Sequence, residues 1–170
     1  DINETLECWE IALKSHNTPS VIALSRQKVP YINPINSKEN KCEKGAYVVS
    51  ITSHESNVTL VASGTEVELA LKVQEKLKEN NIHSKVVSMP CMELFDRQPK
   101  DFCNDIIEEN SLVVTLEAGS IMSWQKYVKN KGMNIGIDQF GESAPYKEVY
   151  NHFGLSEEKI VGFIQKKLRE

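Results

Sequence analysis

The chain has 170 residues, 40% of them hydrophobic, and a formal net charge of -4, which allows one sizeable core and a flanking piece. An acidic balance with no basic stripe interleaved with aromatics excludes a general nucleic-acid binder and leaves small molecules or proteins as partners. No stretch reaches the roughly 18 consecutive apolar residues of a membrane span, and the first residues lack a signal pattern, so a soluble, cytoplasmic protein without a membrane partner is expected.

Along the chain, Ile2, Leu6, Trp9 and Leu13 recur at helical spacing and predict an amphipathic helix over 3–15. The apolar run Val21 to Leu24 in SVIALSRQ reads as a buried parallel strand. Residues 31–44, with Pro34 and several Asn and Lys, read as an exposed linker and domain boundary. The opening has no methionine and begins inside an established pattern, which suggests a cut from a longer chain. The closing helix looks like a natural C-terminus.

Residues 45–51 and 58–62 are apolar runs separated by TSHESN, a length that predicts a hairpin loop and an antiparallel first strand. From Val58 to Pro90 the pattern is strand, helix, strand. Ser63-Gly64-Thr65 forms the turn, Val67, Ala70, Leu71, Gln74 and Leu77 the buried face, Asn80-Asn81 the stop, and Val86-Val87 the next strand. Such a helical crossover joins parallel strands, so a mixed, mostly parallel sheet covered by helices is expected.

Short helical pieces follow at 91–95 and 99–109, then a strand at Leu112 to Leu116. A helix over 121–128 ending near Asn130 and Gly132 and a last strand in NIGIDQFG come next. Ser143-Ala144-Pro145 predicts the start of a helix over 146–153. Gly154 closes it, and Ser156 opens a final helix whose Ile160, Val161, Ile164 and Leu168 face the core.

Few residues suggest chemistry. The cysteines, Cys8, Cys42, Cys91 and Cys103, form no CxxC pair, so reduced thiols are expected in preference to a disulfide between two of them, and no metal site is written. His16, His54 and His83 flank turns and read as solvated. The Ser63, Gly64, Thr65 turn could expose amides to an anion, although a simple cap fits better because Glu66 and Glu68 already supply negative charge there. Glu117 and Glu142 lie at loop ends and suit structural roles. Trp9, Trp124, Phe140 and Tyr146 suit core or subunit contacts. Arg26, directly after the run ending at Leu24, is placed where α/β folds bind ligands, and its guanidinium fork suits a phosphate; spacing alone favours an ion pair at a domain junction.

The segments PSVIALSRQ, VASGTEVELA, VVSMPCMELFD, LEAGS and FGESAP, in this order, resemble successive landmarks of transketolases. The resemblance covers nearly the whole chain. It implies a three-layer αβα sandwich, with residues 1–30 ending a pyrimidine-binding domain, 31–44 a linker and 45–170 the C-terminal domain.

It further implies a parent transferase of the pentose phosphate pathway that moves a two-carbon ketol unit between sugar phosphates. The parent would use thiamine diphosphate and a divalent metal (Mg or Ca) and act as a homodimer. The diphosphate-binding motif and the activating glutamate of that family belong to earlier domains. The resemblance therefore implies a silent fragment without catalytic, cofactor or metal residues, whose partners are the remainder of the transketolase chain and a second subunit. It makes Arg26 a substrate-phosphate contact. A formaldehyde-using sibling shares the SRQ landmark. A free-standing α/β anion-binding or assembly module is the alternative of a different class.

Overall fold

The computed structural model describes residues 1–32, 39–128 and 132–170. Helix α1 spans Ile2–Lys14 and is capped by Asp1, whose Oδ1 accepts the Glu4 amide at 3.0 Å. Asp1 Oδ2 also accepts the Ile32 amide at 2.9 Å, which ties the returning chain to the start of the helix. The two ends of the amino-terminal arm are thus joined by one carboxylate.

Strands β1 (Tyr47–Ile51), β2 (Val58–Ala62), β3 (Ser84–Ser88), β4 (Leu112–Leu116) and β5 (Met133–Ile135) form one sheet in the order β1-β3-β2-β4-β5. Strands β3, β2, β4 and β5 are parallel, and β1 is antiparallel at the edge. Every residue of β2, β3 and β4 is buried, as expected for strands covered on both faces.

The two covers divide the strand residues by alternation. Leu60, Val86 and Val114 point to one side, where helices α2 (Glu66–Glu79) and α6 (Glu157–Lys167) supply Val73, Leu77, Ile160 and Ile164. Val61, Val87 and Val113 point to the other, where α3 (Met92–Phe95), α4 (Lys100–Ile106) and a 3-10 helix at Met122–Tyr127 supply Phe95, Ile106 and Trp124. Helix α5 (Tyr146–His152) lies beside the first group through Tyr150. The result is a three-layer αβα sandwich with a mixed, mostly parallel sheet.

Several expected elements differ. The segment after Ile51 is no hairpin loop: β1 pairs with β3, with Tyr47 opposite Ser88, and the register shifts between Val48 and Ser50. The reason is competition for an edge, since the β2-α2-β3 crossover places β3 against β2 and moves β1 one position outward. The SVIALSRQ run forms no strand, and Val21 and Leu24 are exposed; among the described residues no backbone pairs with it, and a strand without a ladder partner has nothing to hold it.

Within the predicted linker, Lys41–Lys44 is a 3-10 helix with Cys42 buried, because Asn40 caps it and also donates to the Glu7 carbonyl at 2.9 Å. Pro34 lies outside the described residues, as does Asn130. The last strand is only Met133–Ile135. Helix α5 starts from Pro145, two residues after Ser143, which therefore does not cap it, and Ser156 precedes α6 without a side-chain capping bond. Leu168 lies beyond the last turn of α6 and is exposed.

Gly45 joins the 3-10 helix to β1 with φ 83°, and a Cβ there would strike the backbone at Cys91 and Phe95. Both its conformation and its surroundings require glycine.

Candidate functional site

The sheet order reverses between β2 and β4, and in parallel α/β sheets the crevice beyond the carboxyl ends at such a reversal is where ligands sit. The Ser63, Gly64, Thr65 turn follows β2 on one side, and Glu117 follows β4 on the other. Thr65 occupies the position before α2 without a side-chain capping bond, and its hydroxyl donates to Glu66 Oε1 at 2.7 Å. Tyr150 donates to the same oxygen at 2.5 Å. Glu66 is 5% exposed, so a buried, hydrogen-bonded carboxylate fills the amino end of α2.

Glu117 accepts the Trp124 indole N–H at 2.9 Å. Burial raises its carboxyl above the ordinary value, the indole bond opposes this, and the charge of Glu66 adds to it. Burial also raises the Tyr150 hydroxyl, helped by its bond to Glu66. Glu142 stands apart, exposed in the segment before α5. The crevice thus gathers two carboxylates and a phenol held in a protonated state. These groups can accept hydrogen bonds from hydroxyls or amines.

A groove of about 530 Å³ runs from this turn to the amino-terminal arm, lined by Gln27, Lys28 and Val29 and, across from them, Thr65, Lys72 and Tyr146. Arg26 immediately precedes the lining residues, is exposed, and makes no ion pair among the described residues. Ser25 is exposed beside it. A second depression of about 700 Å³ lies between Gly136 and Phe163, and two of its charged groups are engaged: Lys159 donates to the Asn151 carbonyl, and Asp138 accepts from Ser120 and the Ile121 amide.

The aromatic residues divide. Trp124 is buried, while Trp9, Phe140 and Tyr146 are exposed. His16, His54 and His83 are exposed, and all four cysteines are free thiols. Among the described residues no group of three or more His, Cys, Asp or Glu could hold a metal ion, and no helix is long and apolar enough to cross a membrane.

Sequence reasoning missed the seam between α1 and the sheet. Glu4, 9% exposed, accepts the Tyr47 hydroxyl at 3.0 Å and the Ser88 hydroxyl at 2.5 Å. Burial, with the Glu4 charge, pushes the Tyr47 phenol up, so it stays a donor. Glu4 lies off the apolar stripe, and no local pattern in the sequence points to it.

A family model described as the transketolase-like TK C-terminal domain matches residues 45–156. The transketolase of Sinorhizobium medicae is 39% identical over 162 residues, 95% of this chain and 23% of that protein. Among solved structures, the transketolase of Leishmania mexicana superimposes with a TM-score of 0.87 at 34% identity, covering 99% of this chain and 24% of that one. The Pichia stipitis transketolase in complex with sedoheptulose-7-phosphate gives 0.89 at 28% identity, with the same coverage. The chain spans about a quarter of the length of the relatives it matches. With its sheet order, its two helical covers and this match over most of its length, the chain belongs to the transketolase family.

Proposed function

We propose that the chain works as the C-terminal portion of a transketolase, with residues 1–30 completing a pyrimidine-binding domain, 31–44 linking it, and 45–170 forming the C-terminal domain. The parent enzyme is a cytoplasmic homodimer that passes a two-carbon ketol unit between sugar phosphates. The observation that carries this reading is the uncovered amino-terminal arm. Ile2, Leu6, Trp9 and Leu13 make one apolar face on α1, all half or more exposed, and Val21 and Leu24 are exposed further along the arm. A contiguous apolar face of this kind is a surface built to be covered by protein. The match to about a quarter of much longer transketolases supports the remainder of that enzyme as the cover.

In the whole enzyme thiamine diphosphate, with its divalent metal, supplies the carbanion-stabilising chemistry. The described residues offer no metal-binding group that fits it, and no step through the cofactor is assigned to them. The chain alone is expected to be inactive. Saturable heat on titrating it with thiamine diphosphate and magnesium would overturn that expectation.

Arg26 is the one substrate contact assigned to this chain, through two parallel hydrogen bonds to a sugar phosphate. The sugar-phosphate complex of the Pichia stipitis relative supports this class of substrate. In the parent enzyme, Arg26→Ala should raise KM for phosphorylated sugars about 10- to 100-fold, the equivalent of one lost charge-assisted contact. Cofactor affinity and turnover of an unphosphorylated acceptor should hold. Unchanged kinetics with sugar phosphates would remove Arg26 from the site.

A further inference from the structure

The seam between α1 and the 3-10 helix at Lys41–Lys44 contains two thiols that the transfer reaction does not use. Cys42 Sγ lies 3.9 Å from the Glu4 carbonyl, and the Cys42 amide donates to Glu7 Oε2 at 3.1 Å. Cys8 is one turn after Glu4, and a helical side chain leans toward the amino end over the turn before it. The Cys8 side chain therefore overlies the turn whose carbonyl Cys42 approaches, which sets the two thiols beside each other in the seam. The seam is held from both sides, by Asn40 on Glu7 and Glu10 and by Tyr47 and Ser88 on Glu4. The other thiols have no such mate: Cys91 turns to Glu93 and Cys103 to the Phe95 and Gln98 carbonyls.

We propose that Cys8 and Cys42 are an oxidisable dithiol, which a peroxide converts to a disulfide bridging α1 and the 41–44 turn. Cys8 is partly open to solvent and Cys42 is 1% exposed, so peroxide meets Cys8 first and Cys42 needs no access of its own. The neighbouring Cys42 thiol holds Cys8 below the usual thiol value, against burial and the charges of Glu4 and Glu7. The neighbouring Cys8 thiol, with burial, pushes Cys42 up. Cys8 is thus the attacking thiolate and Cys42 the resolving thiol.

The Cys8 sulfur attacks one peroxide oxygen, the O–O bond breaks, and water leaves once the other oxygen is protonated, giving a sulfenic acid. The Cys42 sulfur then attacks the Cys8 sulfur, the S–S bond forms, the S–O bond breaks, and the hydroxyl departs as water with the Cys42 proton. Two thiols are oxidised, and one peroxide is reduced to two waters. Reversal by a dithiol reductant makes the bridge a transient of the kind reducing compartments tolerate.

The test uses the full-length enzyme exposed to hydrogen peroxide, with free thiols then blocked and the protein cut by trypsin without reduction. Mass spectrometry should recover most Cys8 in a peptide linked to the Cys42 peptide ending at Lys44, with the loss of two hydrogens, and dithiothreitol should separate them. In Cys42→Ser, treatment with dimedone should trap a sulfenic adduct on Cys8 that the wild type does not accumulate; in Cys8→Ser both link and adduct should vanish. Cys8 and Cys42 recovered unlinked in the wild type, or linked to other cysteines instead, would overturn the proposal. If a variant fails to fold, the wild-type peptide map alone decides.

Discussion

Helices α1 and α6 begin from the same kind of sequence and end in opposite surroundings. Each is amphipathic, with acidic residues in its first turn and lysine in its last. Ile160 and Ile164 of α6 are fully buried against α2 and the sheet, whereas Ile2, Leu6 and Leu13 of α1 stand in solvent. The face by which α1 is held is its polar one, through Glu4 and Glu7. An apolar stripe therefore says that a helix has a partner, and it does not say that the partner is in hand.

The sharpest way to break this comparison is to shorten one residue from each stripe. Ile160→Ala should destabilise the chain by about 2–5 kcal/mol, the cost of a fully buried aliphatic side chain and its cavity. Leu6→Ala should change the chain's stability by less than about 0.5 kcal/mol. The same Leu6→Ala change in full-length enzyme should cost about 2–5 kcal/mol if α1 is covered there. Denaturant titrations of both proteins check the pair. An equal, small effect of Leu6→Ala in both would mean that the stripe is never covered.

The polar face of α1 gives an intermediate effect. Glu4→Ala strands the hydroxyls of Tyr47 and Ser88 and should cost about 1–3 kcal/mol, while Glu4→Gln keeps an acceptor at that position and should cost less. Equal losses in urea melts would show that charge, and not the shared hydrogen bonds, joins α1 to the sheet.

The smallest effect tests the carboxyl-end crevice. Burial raises Glu117 in the folded state, so the fold binds its proton more readily than the unfolded chain does. Its contribution is most favourable in acid and is lost as pH rises from the ordinary carboxylate value through the raised one. Glu117→Gln retains an acceptor for Trp124 and removes the charge. The variant should gain on the wild type as pH rises, by an amount that disappears in acid. Thermal melts from about pH 4 to about pH 8 would check this, and parallel curves would show that Glu117 is no more burdened than a surface carboxylate.

The sheet was legible in the sequence where burial on both faces leaves unbroken apolar runs, as in Val58 to Ala62 and Leu112 to Leu116. The crossover helix was legible from Val67 to Asn81 because its period and its stop agree. Strand partners were not. Nothing local in TSHESN distinguishes a hairpin loop from a turn that leads past an intervening strand, since the deciding contact of Tyr47 is with Ser88. The run at Val21 to Leu24 had strand composition, yet composition supplies no neighbour. At the candidate site, Arg26 stood out through its motif, whereas Glu66 with Tyr150 and Glu4 with Tyr47 escaped notice because each pair is far apart in sequence.

The edge position of β1 fixes an order of assembly. Among the described residues its one neighbour in the sheet is β3, which is translated only after β2 and all of α2. When β1 leaves the ribosome it has no ladder to join, and the next strand to emerge is not its mate. The central crossover must close first, after which β1 completes the edge from outside. The first strand of this sheet to be made is thus the one that docks after β2 and β3 have paired.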